Sequence, residues 1–361
     1  AADHPALYVY DQDTLRSRAN SVTSVGADRV FYAIKANPNP GILRRFADLG
    51  LGFESVSPGE LEHIRRTLPD LPPDRILFTP NFASAGEYAQ AFAAGAHVTL
   101  DNLYPLEHWP EVFRGQSVLV RVDPGRGKGH HRFVKTAGPK SKFGVSPSEL
   151  DRLRELCARH DVRVKGLHSH VGSGIRSPET WSDNAIFLAE LARDFDDATI
   201  INVGGGLGVP EKPGQRALDI QAVAASIAKF RAVHPDIQLW MEPGRYLVAE
   251  AGVLLAHVTQ TKSKGEVRYV GIATGMNSLI RPALYGAYHR IVNLSRLDQK
   301  ATQVADVVGP ICETGDVLGY RRRLPDTHHG DVILIATAGA YGHAMASRYN
   351  LRDPAPELIL D

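Results

Sequence analysis

The chain has 361 residues, with 41 Lys and Arg against 40 Asp and Glu and a formal net charge of +1. Acid and base are mixed throughout, which argues against a nucleic-acid or membrane-surface partner, and no apolar run is long enough to span a bilayer. Its two cysteines, Cys157 and Cys312, imply no disulfide framework and fit a reducing, cytoplasmic compartment. The first residues, AADHPALYVYD, lack the basic start and apolar core of a signal peptide. They also lack Met, so the expectation is a trimmed or excised piece of something longer.

Short apolar runs alternate with amphipathic stretches from residue 30 to about 241. The candidate strands are 30–34, 52–56, 75–79, 97–100, 117–122, 163–168, 199–203 and 237–241. Helical spacing of three and four lies between most of them, as in Ile42-Leu43-Phe46-Leu49 and Leu150-Leu153-Leu156. Ser57-Pro58, Ser146-Pro147 and Ser177-Pro178 read as helix starts. Eight strands alternating with helices is the count of a (β/α)8 barrel, although a doubly wound sheet has the same alternation. After Glu250 the runs Val253–Val258, Val267–Ile272 and Val332–Ala336 are strand-like with little helix between them. The expected division is therefore an α/β barrel over 25–250 and a β-rich domain made of 1–24 and 251–361. The initial strand, Ala6–Tyr10, is expected to pair with that second domain.

Barrel active sites are built from the loops that follow the strands. The strand ends carry Lys35, Glu54, Arg121 and Asp123, His168 and His170, Gly204-Gly205-Gly206, and Glu242 with Arg245. A lone amine at a strand end suits an aldehyde cofactor held as a Schiff base, whereas most such lysines are merely solvated. A Gly-Gly-Gly run lets backbone N–H groups close on a phosphate, with the Ser173 hydroxyl as a further donor, or else marks only a tight turn. Glu242 suits a pyridine nitrogen that must stay protonated, or an ion pair with Arg245. His170 is either a flat ring for stacking or a hydrogen-bonded core histidine.

Taken in order, YAIKAN, GFESVSPGEL, HSHVGSG, NVGGGLG, EPGRY, RPALYGAYH, CETGD and GAYGHAMASRYN resemble the fold-type III, pyridoxal-phosphate-dependent amino-acid decarboxylases. The resemblance covers nearly the whole chain, and the subgroup it is most similar to is diaminopimelate decarboxylase. It implies an alanine racemase-like fold, pyridoxal 5′-phosphate as cofactor and a homodimer with shared active sites. Lys35 then carries the cofactor, and His170 stacks on its ring. Ser173, Gly204, Gly205 and Gly206 hold the phosphate, Glu242 faces the ring nitrogen, and Arg245 and Tyr341 lie near cofactor and substrate. Arg281 and Tyr285 match the site for the substrate's distal carboxylate and Glu313 the group for its distal ammonium. Cys312 matches a cysteine that helps protonate the product, reaching in with Glu313 from the neighbouring subunit. Arg281 taken alone would read as a surface ion pair and Cys312 as a small buried hydrophobe.

Two positions depart from the common pattern: Glu54 stands where many relatives have Asp, and Thr314 where many have Ser. The early stop at Asp361, the missing Met and the PGRGKGHHRFVKTAG loop resemble the decarboxylase part of a bifunctional aspartate kinase–diaminopimelate decarboxylase. The segment 123–145 has the length of a lid, or of a plain surface loop. His130-His131 and His328-His329 have no third partner at ligand spacing, so no metal is expected. The rival readings are a decarboxylase of ornithine, arginine or carboxynorspermidine on the same scaffold, a racemase, and a non-catalytic regulatory homologue. Arg281 argues against the first, Glu242 against the second, and Lys35 with Cys312 against the third.

Overall fold

A computed structural model describes residues 4–125, 128–129 and 141–360. Two compact units make up the chain. One holds Arg16–Gly208 and Ala217–Tyr246; the other holds the N-terminal strand as far as Leu15, Val209–Arg216, and the chain from Leu247 onward.

The first unit is a closed barrel of eight strands, Arg29–Ala33, Gly52–Ser55, Ile76–Phe78, His97–Leu100, Ser117–Arg121, Arg163–His168, Ile200–Asn202 and Gln238–Met241. Neighbours pair in parallel in chain order, and the eighth closes on the first through Trp240 and Met241 against Arg29 and Val30. Closure excludes the doubly wound alternative. Phe31, Leu77, Leu119, Ile200 and Trp240, drawn from five of these strands, form one buried cluster. Such a barrel interior is packed core rather than a pore, which leaves the strand ends to do chemistry.

Local capping explains where the helices begin. Asn39 accepts the Gly41 N–H ahead of Pro40–Asp48, and Ser57 accepts the Glu60 N–H ahead of Pro58–Thr67. Ser146 and Glu149 make a capping box on a 3-10 turn that leads into Leu150–His160. The third expected start is displaced. Ser177 and Pro178 belong to a turn, and the helix runs Thr180–Ala192 with Glu179 at its cap and no side-chain bond there.

The second unit is an eight-stranded mixed sheet centred on the long strand Gly252–Lys264. That strand pairs antiparallel with Val332–Ile335 through its first half and with Val267–Ile272 through its second. The initial strand, Ala6–Asp11, joins this sheet as expected, antiparallel to Gly252–Lys264 with Ala6 opposite Ala256, and takes Glu357–Leu360 on its other edge. Among the described residues no helix is long and apolar enough to cross a membrane.

Candidate active site

The first barrel strand ends at Ala33, and the chain turns at once through the 3-10 segment Ile34–Ala36, which carries Lys35. Ile34 and Ala36 are buried, so the turn is anchored on both sides of the lysine while 40% of the lysine side chain stays accessible. Its Nζ lies 2.7 and 2.6 Å from the two oxygens of Glu54, which comes from the neighbouring strand in register with Ala33. Only 1% of Glu54 is exposed. Burial pushes its carboxyl up to about 7, against the pull of Lys35 and with a further push from the negative charge of Glu242.

Glu242 follows the eighth strand and behaves in the opposite way. Burial again raises its pKa, but His168, through charge and a hydrogen bond, and the charge of Lys35 outweigh burial and hold it down at about 2. The Asn202 side-chain amide, at the end of the seventh strand, donates to its Oε1 at 2.7 Å, and His168 Nε2, at the end of the sixth, faces the same oxygen at 3.3 Å. These neighbours favour the ionised form of Glu242. Three strand ends converge on one carboxylate, and the Glu54–Lys35 pair lies within its electrostatic reach.

The glycine run is dictated by close backbone approach. A Cβ on Gly205 would sit 2.2 Å from the Glu242 carbonyl oxygen, and one on Gly206 2.4 Å from that of Gly172. The Gly205 carbonyl also accepts the Trp181 indole N–H at 2.9 Å. Gly204 N–H donates to Asn202 Oδ1 at 2.9 Å, and Gly205 N–H to His170 Nδ1 at 3.2 Å. Since His170 Nδ1 accepts, its proton sits on Nε2. Burial, together with the Arg121 charge, keeps the ring neutral, with a pKa of about 3. Ser173 follows Gly172 and is half-buried, pairing with Gly129; Arg245 opens the short helix Arg245–Val248.

The β-rich unit carries the other expected residues. Arg281, 2% exposed, donates from one terminal nitrogen to Glu211 Oε1 at 2.7 Å and from the other to His289 Nε2 at 3.2 Å. His289 Nδ1 in turn donates to the Ala336 carbonyl, which fixes the tautomer. Tyr285 ends the same short helix as Arg281, and Tyr341 stands in the left-handed region at φ 55°. Cys312 and Glu313 are both exposed. Cys312 N–H donates to Asn350 Oδ1 at 2.7 Å, and Glu313 accepts the Tyr349 hydroxyl at 2.6 Å.

Asn202 and Glu211 were missed in the sequence. Asn202 stands two residues before the first glycine of the run, and reading the last strand residue itself would have found it; Glu211 is remote in sequence from Arg281 and left no local signal. Most of the segment read as a lid, 126–127 and 130–140, lies outside the described residues, and with it His130-His131. His328 faces Asp326 at 3.1 Å on the surface, and no group of metal-binding side chains occurs among the described residues.

The family model for the pyridoxal-binding domain of pyridoxal-dependent decarboxylases matches residues 12–249. Diaminopimelate decarboxylase of Deinococcus radiodurans is 37% identical, over 98% of this chain and 89% of that one. The enzyme of the same name from Methanothermobacter thermautotrophicus is 34% identical, over 98% and 86%. The chain belongs to the diaminopimelate decarboxylase family. A crystal structure of the Helicobacter pylori member, complexed with L-lysine, superposes with a TM-score of 0.91 at 28% identity, covering 99% of this chain and 91% of that one. The barrel, the mixed sheet and this likeness together make the fold the alanine racemase-like one that the motifs implied.

The cofactor is pyridoxal 5′-phosphate, and the residues at the barrel mouth fit it. An aldehyde needs a primary amine, which Lys35 presents half-exposed; a pyridinium needs an anion, the form that the neighbours of Glu242 favour. A flat, neutral imidazole and a glycine backbone that admits no Cβ complete a set suited to an aromatic phosphate ester.

Proposed function

We infer that the chain decarboxylates meso-2,6-diaminopimelate to L-lysine and CO2, using pyridoxal 5′-phosphate. The observation that carries this reading is Glu242, buried, held toward its ionised form by side chains from the two neighbouring strand ends and set within electrostatic reach of the Lys35 amine. Bound pyridoxal 5′-phosphate supplies the electron sink that receives the bonding pair of the breaking Cα–carboxylate bond. Lys35 is the amine that would hold the cofactor's aldehyde. Glu54 holds Lys35 at the mouth through both of its carboxylate oxygens. With the cofactor bound, Glu242 would keep the ring nitrogen protonated, His170 would offer its flat ring, and Ser173, Gly204, Gly205 and Gly206 would hold the phosphate, with Arg245 and Tyr341 the further residues that the motifs assign to cofactor and substrate. A proton replaces the lost CO2 at the same carbon, delivered by Cys312 or Lys35.

Arg281 takes the distal carboxylate, helped by Tyr285. Two of its five N–H donors are engaged by Glu211 and His289, so the substrate is met by the others. An arginine here suits a far-end carboxylate and disfavours ornithine, arginine or another diamine precursor, which ends in a cation. Glu313 reads the distal ammonium. The exposure of Cys312 and Glu313 in the single chain supports a homodimer in which both act at the partner's barrel. The test is product formation with added pyridoxal phosphate, by mass, from diaminopimelate, ornithine and arginine in parallel. Lysine from diaminopimelate alone is expected; a diamine from ornithine or arginine would overturn the assignment of Arg281 while keeping the chemistry.

A further inference from the structure

We propose that Asp316 is a positioning residue, whose carboxylate locks the loop bearing Cys312 and Glu313 to the segment that leads into Arg281. The inference rests on the functional reading above, in which both segments serve the far end of the substrate.

Asp316 is 3% exposed. Its Oδ2 accepts the Ile311 N–H at 2.7 Å, the residue before Cys312, and its Oδ1 accepts the Met276 N–H at 2.6 Å, five residues before Arg281. One carboxylate thus ties two chain segments together, each through a backbone donor that has no freedom to look elsewhere. The loop also closes on Asp316 through its own backbone, with Gly309 N–H donating to the Asp316 carbonyl and Asp316 N–H to that of Glu313, both at 3.1 Å.

Two glycines make room for the lock. A Cβ on Gly275 would lie 2.4 Å from both carboxylate oxygens. One on Gly309 would lie 2.4 Å from Oδ2 and 2.3 Å from the Gly275 Cα. The carboxylate is squeezed between two bare backbones, with no space for a larger neighbour on either side. A third segment is bound to the same assembly. Asn277 donates to the carbonyls of Arg352 and Asp353, and Cys312 N–H donates to Asn350. Displacing Asp316 therefore shifts the loop carrying Cys312 and Glu313 against its neighbours on both sides.

A buried carboxylate is a costly way to hold a fold together. Here its two acceptor oxygens are what the geometry needs, because each faces an N–H donor. Asparagine has nearly the same shape but turns an NH2 group toward one of those donors. Asp316→Asn breaks one tie without opening a cavity, and Gly309→Ala breaks the lock by a separate route if the first variant folds poorly.

The experiment reads two things. The first is the alkylation rate of Cys312 by iodoacetamide, which needs no activity; Cys157 is buried and its thiol is pushed up to about 11, so it stays silent. The second is kcat/KM for diaminopimelate. In either variant the Cys312 rate is expected to change several-fold, and kcat/KM to fall at least about tenfold, the scale of one lost hydrogen bond to a charged group. Cys312 alkylated at the wild-type rate in both variants overturns the proposal, whatever the activity does. If wild-type protein forms no lysine, the functional reading fails, and the alkylation rates alone decide whether the lock exists.

Discussion

The mouth of the barrel and the loops of the β-rich unit present polar groups in opposite ways. At the barrel mouth the carboxylates are buried and Lys35 half-buried, and each charge is answered by a side chain from a neighbouring strand: Lys35 by Glu54, Glu242 by Asn202 and His168. In the β-rich unit Cys312 and Glu313 lie in solvent, and what is buried is the apparatus beneath them, Asp316 and its backbone donors. A rigid barrel can afford to bury reactive groups because strand register fixes their partners. A loop that must meet a ligand has to leave its reactive groups outside and bury its anchor. The contrast extends to the two barrel glutamates, equally buried yet displaced in opposite directions, Glu54 to about 7 and Glu242 to about 2. The company a carboxylate keeps, more than its depth, decides its charge.

The strongest way to break this comparison is at the barrel mouth. Lys35→Ala is expected to abolish lysine formation, and full turnover in that variant would end the account. Glu242→Gln leaves the ring nitrogen without its anion, so kcat should drop on the order of 10²–10³-fold, as when other preorganised electrostatic partners are removed. A wild-type kcat there would mean that the Asn202–His168–Glu242 cluster is only structural. Substitution of Arg281 in the β-rich unit should act on binding instead. Arg281→Ala should raise KM for diaminopimelate by about 10- to 100-fold with a smaller change in kcat, matching about 1.5–3 kcal/mol for a charged hydrogen bond. Glu211→Ala strands the buried Arg281 without its acid and should lower stability by about 3–5 kcal/mol in denaturant unfolding; an unchanged midpoint would show the pair to be dispensable.

The smallest expected effect is one of pH. The folded state keeps the Glu54 proton longer than the unfolded chain does, so its contribution to stability is present below about 4.5 and falls away as pH rises to about 7. Glu242 works the other way: its contribution is present above about 4.5 and is lost as pH falls toward 2. Glu54→Gln should flatten the stability slope between pH 4.5 and 7 and leave the acid limb in place. An unaltered slope would show that Glu54 titrates like an ordinary exposed glutamate.

The barrel was legible because parallel strands covered on both faces read as apolar runs, and all eight candidate strands lie within a residue or two of those observed. Lys35, Glu54 and Glu242 could be named from that frame alone, since a residue at or just past the end of such a run has one place to go. Their electrostatics could not, because it depends on which strand ends face each other across the mouth. Nothing local in the chain joins Asn202 to Glu242, or Glu211 to Arg281, 70 residues away. Cys312, Glu313 and Arg281 were singled out through motif likeness, for a loop and a five-residue helix carry no readable period. Asp316 was passed over as the last letter of CETGD, and its part emerges only when Met276 and Ile311 are seen converging on it.

The central claim is that Lys35, and no other lysine, carries the cofactor. Borohydride reduction of the pyridoxal-phosphate-loaded protein, followed by proteolysis and peptide mass mapping, tests it most directly. The pyridoxyl group is expected on the peptide containing Tyr32-Ala33-Ile34-Lys35. Its appearance on any other lysine, with Lys35 unmodified, would contradict the account.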